Sequence, residues 1–198
     1  MCQIFKIRES EVSDIVSIHL DAFPNFFLSN LGKDVLYQFY SYLIKDENTI
    51  SYCLKEKDVI VGFIIVSTQA RGLYARIFTR GFVNFFLPIF FSFLKNPSLI
   101  KRMIISIKST RKHKTPNNIS VSMLSICVRQ LNAGKGVGRR LVDKLEMDLI
   151  QTNIERYYLT TDADNNDLTN SFYLKNNFVL YSSFLQGKRR MNLYIKNL

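Results

Sequence analysis

Cysteine is scarce in this chain of 198 residues. Cys2, Cys53 and Cys127 lie far apart and form no CxxC pair. An odd number at such spacing argues against a disulfide framework or a zinc knuckle, and fits a reducing, cytoplasmic compartment. Long apolar runs are missing as well. The opening "MCQIFKIRESEV" has no extended apolar region, so no signal peptide is expected. No uncharged apolar stretch reaches the roughly 18 residues of a membrane-spanning helix. Acidic residues are few: 16 Asp and Glu face 27 Lys and Arg, for a net charge of +11. That balance favours a polyanionic partner, such as nucleic acid, an acidic membrane surface or a phosphate-rich small molecule. No zinc-finger or RNP-like pattern accompanies it, which disfavours nucleic acid. Glycine is sparse too, yet three of the eight glycines, Gly134, Gly136 and Gly138, fall within five residues.

What is present reads as one mixed α/β domain spanning 1–198. Apolar residues make up 47% of the chain, ordinary for a globular protein. "QIFKIRE" alternates as a strand, and Ser10 is placed to cap the helix after it. Pro24 breaks the pattern within "FPNFFLSNLG". Leu36, Phe39, Tyr40 and Leu43 predict a helix over about 33–44. "TISYCLKEKDVIVGFIIVST" reads as a hairpin turning at Glu56, Lys57 and Asp58. "NISVSMLSICV", "IERYYLTTDA", "FVLYSSFL" and "RRMNLYIKN" read as further strands. Helices are expected in "VDKLEMDLI" and "NNDLTNSFYLKNN". The stretch from about 70 to 116 departs from this alternation and reads as a helical insertion. Its "FVNFFLPIFFSFL" is too short to span a bilayer. Asn96 and Pro97 are placed to start a basic amphipathic helix behind it. Segment 80–110 is therefore a candidate for peripheral membrane or homodimer contact.

The glycines follow the strand "SVSMLSICV" directly and open a helix. A strand, a glycine turn and a helix N-terminus together suit phosphate, because glycine lets backbone N–H groups approach the anion and the helix adds its positive end. Lys135, Arg139 and Arg140 add charge. A Walker loop is excluded, since Gly134-Lys135 is followed by Gly136. The GxGxG spacing also fails the dinucleotide fingerprint.

The segment does resemble the acetyl-CoA loop of the GNAT family of N-acetyltransferases, Arg/Gln-x-x-Gly-x-Gly/Ala after a strand ending in Val. Val128 ends the strand here, Gly136 and Gly138 take the small-residue positions, and Ala133 replaces Arg/Gln. "NNDLTNSFYLKNNF" is similar to a second motif of that family, Asn-x-x-Ala-x-x-Phe/Leu-Tyr-x-Lys-x-Gly-Phe. Asn166, Phe172, Tyr173, Lys175 and Phe178 match it. Thr169 replaces Ala, and Asn177 replaces Gly at a position where Asn tolerates positive φ. A softer likeness joins "AFPNFFLSNLGKDVLYQFYSYL" to members from bacterial surface-polysaccharide gene clusters, which implies an amino-sugar acceptor.

The resemblance implies a mixed, mostly antiparallel sheet flanked by helices on both faces. It implies that strand 119–128 splays from strand 154–163, with acetyl-CoA in the gap. The implied cofactor-binding residues are Ile126, Cys127 and Val128, then Gly134, Lys135, Gly136, Val137, Gly138 and Arg139, then Asn166 on the pantetheine arm or the nearby backbone. Tyr173 is implied as general acid toward the CoA sulfur. The strand has no carboxylate, so Asp162 stands as the candidate base, with His19 and Asp21 as alternatives. Cys127 has no activating neighbour in the sequence pattern, which favours direct transfer over a covalent intermediate. No metal is expected. The expected function is acetyl transfer from acetyl-CoA to a small-molecule amine. A catalytically silent acyl-CoA-binding module is the alternative.

Overall fold

A computed structural model describes residues 2–24, 26–73, 75–77, 79 and 119–198. Strand β1 (Cys2–Lys6) leads through a 3-10 turn (Glu9–Glu11) into helix α1 (Val12–Ala22). Helix α2 (Phe27–Asn30) and helix α3 (Lys33–Lys45) follow. Strands β2 (Thr49–Glu56) and β3 (Val59–Ser67) form the expected hairpin. After the undescribed stretch come β4 (Ser122–Val128), a 3-10 turn (Gln130–Asn132), and α4 (Val137–Gln151). Then come β5 (Arg156–Asp162), α5 (Asp167–Lys175), β6 (Val179–Gln186) and β7 (Arg189–Asn197). The expected insertion over about 70–116, its Asn96–Pro97 start and segment 80–110 lie outside the described residues, apart from the first positions. Of those, Leu73 and Ile77 are buried against the core of α1 and α3.

The seven strands form one sheet in the order β1-β2-β3-β4-β5-β7-β6. Among the described strands only β4 and β5 pair in parallel. Helices α1 and α3 cover one face and α4 the other, so central β3 is buried almost end to end. On α4, Val137, Leu141, Val142, Leu145 and Leu149 recur at helical spacing and are all buried. Each such side chain contributes about 1.5–3 kcal/mol of burial.

Local chemistry departs from the expectation in two places. Ser10 makes no cap, because it sits inside the 3-10 turn rather than ahead of α1. Glu11 holds the N-cap position of α1 without a side-chain cap bond; its buried carboxylate closes the 3-10 turn instead, accepting the Arg8 N–H at 2.8 Å and the Arg8 guanidinium at 2.8 Å, and pairs with Lys55. The break at Pro24 holds one helical turn, α2, tied back by the Ser29 hydroxyl to the Phe23 carbonyl and by Asn30 Nδ2 to the Phe26 carbonyl at 2.9 Å. The hairpin turn has positive φ at Lys57 (48°) and Asp58 (65°), and Asn177 takes the left-handed conformation expected of it (φ 61°).

Candidate active site

Strands β4 and β5 pair at only two positions, Ser122–Tyr158 and Met123–Leu159. Beyond Met123 they part. From Leu124 to Val128 the β5-side edge of β4 has no strand on it among the described residues, while the other edge stays paired to β3 as far as Val128–Gly62. A bulge marks the point of separation. Ile65 faces Ser125 and Val66 faces Met123, which leaves Leu124 unmatched. The bulge also switches faces. Met123 packs in the α4 core and Cys127 in the α1/α3 core, although an even spacing would keep both on one side of a regular strand. The three strand residues singled out in the sequence, Ile126, Cys127 and Val128, therefore lie along an opened edge.

The glycine turn sits at the end of that edge. Arg129 anchors its start, with its N–H on the Val61 carbonyl at 2.8 Å and Nε on the Ile60 carbonyl at 2.7 Å. Gly134 (φ 74°) and Gly136 (φ 78°) are left-handed, and nothing lies within 4 Å of where a Cβ would be. The turn thus faces open space, and glycine is needed there for conformation. The N–H groups of Gly136, Val137, Gly138 and Arg139 find no acceptor among the described residues. Helix α4 has no acidic side chain in its first turn. These bare amides and the positive helix end are what an anion needs. Lys135 is exposed and pairs with no described residue, whereas Arg139 donates to Asp143 at 2.7 Å.

Two glycines act through close approach instead. A Cβ on Gly62 would lie 2.8 Å from Val137 Cγ1 and 2.9 Å from the Cys127 carbonyl oxygen. Its bare backbone lets α4 seat its first turn against the sheet. A Cβ on Gly138 would lie 3.2 Å from the Phe172 ring. Phe172 belongs to the second motif, so the two sequence motifs meet at this contact. Gly62 was not singled out in the sequence; its placement in an otherwise β-branched and aromatic strand was the available signal.

Tyr173 lies on α5, only 6% exposed, among the rings of Phe172, Phe178 and Tyr194. Burial, then the neighbouring Cys127 and Tyr194, raise its pKa, so the phenol keeps its proton. No described residue hydrogen-bonds its hydroxyl. Burial pushes the Cys127 thiol up to about 12, so it is not a nucleophile at neutral pH. Asn166 stands at the N-cap position of α5 without a side-chain cap. Its Nδ2 reaches back to Thr161 Oγ1 at 2.9 Å and the Asp162 carbonyl at 3.0 Å. Asp162 ends β5 in a two-armed pair with Arg189, at 2.9 and 2.7 Å. The Arg189 guanidinium also lies 4.9 Å from the centre of the Phe26 ring. Phe26, Asp162, Asp164, Lys188, Arg189 and Arg190 line a cavity of about 340 Å³ beside this pair. Sequence reading found Asp162 and missed the rest, which come from the α1–α2 and β5–α5 connections, the β6–β7 turn and the start of β7.

Residues 108–178 match the model of the acetyltransferase (GNAT) family. Both sequence motifs lie within that matched stretch. Solved GNAT-fold structures are similar over the whole chain. An N-acetyltransferase from Staphylococcus aureus Mu50 superposes with a TM-score of 0.63 at 14% identity, covering 100% of this chain and 98% of that one. The ribosomal-protein-S18-alanine N-acetyltransferase of Escherichia coli gives 0.56 at 13%, covering 100% and 94%. PaiA N-acetyltransferase from Thermoplasma acidophilum, in complex with coenzyme A, gives 0.58 at 11%, covering 100% and 99%. No curated protein matches the chain. Among the described residues no helix is long and apolar enough to cross a membrane, and no cluster of three or more His, Cys, Asp or Glu could hold a metal ion.

Proposed function

We propose that the protein transfers the acetyl group of acetyl-CoA to a primary amine by direct attack in a ternary complex. One observation carries this reading: the opened edge of β4 runs straight into a glycine turn whose amides have no acceptor among the described residues. The pyrophosphate would rest on Gly134–Arg139, with Lys135 supplying charge in place of the side chain that Ala133 lacks. The acyl-pantetheine arm would run along residues 126–128. A backbone N–H on that edge would donate to the thioester oxygen as negative charge develops. Tyr173, kept protonated by burial, would protonate the leaving thiolate.

The acceptor would enter the cavity beside Asp162. That volume suits a single-ring amine such as an amino sugar. Asp162 keeps its place in the site with an altered part. Arg189 engages both carboxylate oxygens, and the pair orients the incoming ammonium. A silent acyl-CoA-binding module is the second reading, favoured by Ala133 and by the absence of a carboxylate on β4.

An acetyl-CoA turnover assay over amino sugars, nucleotide-linked amino sugars, polyamines and peptide N-termini tests the reading, beside CoA binding to wild type and Gly136→Glu. Turnover with at least one amine, and loss of CoA binding in the folded variant, are expected. CoA binding without turnover would select the silent module. Equal CoA affinity in folded Gly136→Glu would overturn the cofactor site.

A further inference from the structure

The largely apolar core between the sheet and helices α1 and α3 holds a line of polar side chains. His19 of α1 is 5% exposed and Tyr40 of α3 is 1% exposed. His19 Nδ1 lies 2.6 Å from the Tyr40 hydroxyl. The same hydroxyl is 3.4 Å from Ser125 Oγ, which is 3.5 Å from Cys127 Sγ. Ser125 is only half-buried and sits on β4 beyond the last pairing with β5. The line therefore starts at the opened edge and ends deep in the core. Polar groups in such a place are costly unless something compensates them.

In the Nε2–H tautomer of His19 the ring accepts at Nδ1, and Tyr40 donates its single hydroxyl proton there. Ser125 then donates to the Tyr40 oxygen, since hydroxyl protons rotate to suit. Burial lowers the His19 pKa to about 4, so the imidazole is neutral at pH 7. A neutral ring accepting at Nδ1 carries its proton on Nε2, an atom with no partner among the described residues. Every donor in the line thus points toward His19. No carboxylate lies on β4 to do this work.

Resting on the acetyl-transfer reading, we propose that Ser125, Tyr40 and His19 form a relay that draws the proton from the attacking amine. The nitrogen lone pair forms the C–N bond, and the carbonyl pair moves to oxygen. The ammonium proton passes to Ser125 Oγ, the Ser125 proton to Tyr40, and the Tyr40 proton to His19 Nδ1. The C–S bond then breaks, and the thiolate takes the Tyr173 phenol proton. The imidazolium is too acidic to persist: its proton returns through Tyr40 and Ser125 to water at the opened edge, and the Tyr173 phenolate takes a proton from water. One proton has moved from nitrogen to sulfur, and each side chain ends as it began. Ser125 is the catalytic residue; Tyr40 and His19 act through it as positioning residues.

Two measurements test the relay. The chain has only two histidines, so His113→Gln leaves His19 as the sole imidazole for ¹⁵N NMR. The Nε2–H tautomer is expected, with an Nδ1 signal that shifts when CoA is added. Ser125→Ala should keep CoA binding and lose that shift. An Nδ1–H tautomer would overturn the relay whatever the enzyme does with acetyl-CoA. In the second measurement, Tyr40→Phe and Ser125→Ala should each lower kcat about 10- to 100-fold with KM for acetyl-CoA within about twofold of wild type. Wild-type kcat in both folded variants would remove the relay and leave the acetyl-transfer reading standing. A wild type that turns over no amine would remove that reading, and the relay with it.

Discussion

The two faces of the sheet are covered alike by helices but built by opposite means. On the α4 face the decisive feature is missing side chains. Gly62 and Gly138 let Val137 and Phe172 come close, and Gly134 and Gly136 turn the chain so that bare amides face outward. On the α1/α3 face the decisive feature is an added one, a line of buried polar side chains through an apolar core. The first arrangement fixes the position of backbone groups and suits holding a large anion. The second keeps protons in defined places and suits chemistry. Strand β4 serves both because the bulge at Leu124 gives Cys127 to one face and Met123 to the other.

Substitutions can break this contrast, the largest expected effect coming first. Gly136→Asp should weaken CoA binding at least about 100-fold, because it sets a negative charge among the bare amides proposed to hold phosphate. Gly136→Asn accepts the same left-handed backbone and adds no charge, so calorimetry should find it within about 10-fold of wild type. Similar losses in the two variants would show that shape, not charge, governs the turn. Tyr173→Phe should lower kcat about 10- to 100-fold at unchanged affinity for acetyl-CoA. Wild-type turnover there would remove Tyr173 as the acid.

Gly62→Ala should cost about 1–3 kcal/mol, since its methyl would meet both Val137 and the Cys127 carbonyl. Denaturant unfolding reads the loss. CoA affinity should fall with it, because the first turn of α4 must shift. The smallest effect is on the polar face and depends on pH. His19 has a folded pKa of about 4, below its unfolded value of 6.5. The unfolded chain binds the proton first, so stability falls as pH drops from 6.5 toward 4. The loss at about pH 5.5 should be about 1 kcal/mol, and His19→Gln should flatten the slope across that window.

The difference between the faces also explains what could be read from the sequence. The α4 face was legible because its devices are local. Glycines cluster within five residues, and Tyr173 and Phe172 sit in one short motif. The strands were legible through alternation, to within a few residues. The polar line was not legible. His19, Tyr40 and Ser125 are 21 and 85 residues apart, and only the packing of α1 and α3 on β4 brings them together. The cavity beside Asp162 stayed hidden for the same reason, since Phe26 and Arg189 come from opposite ends of the chain. Ser10 misled because Glu11, one position on, finds two cations that local sequence does not display.

The two residue pairs that join β4 to β5 have a mechanical meaning. They divide the sheet into plates of four and three strands, riveted at one end. Helix α4 is the strap between the plates: it links β4 to β5 in the chain and lies over β2, β3 and β4. A pull applied across the strands should part the molecule at this seam before any other pair of neighbours. A rod-like molecule lying in the gap would act as a splint.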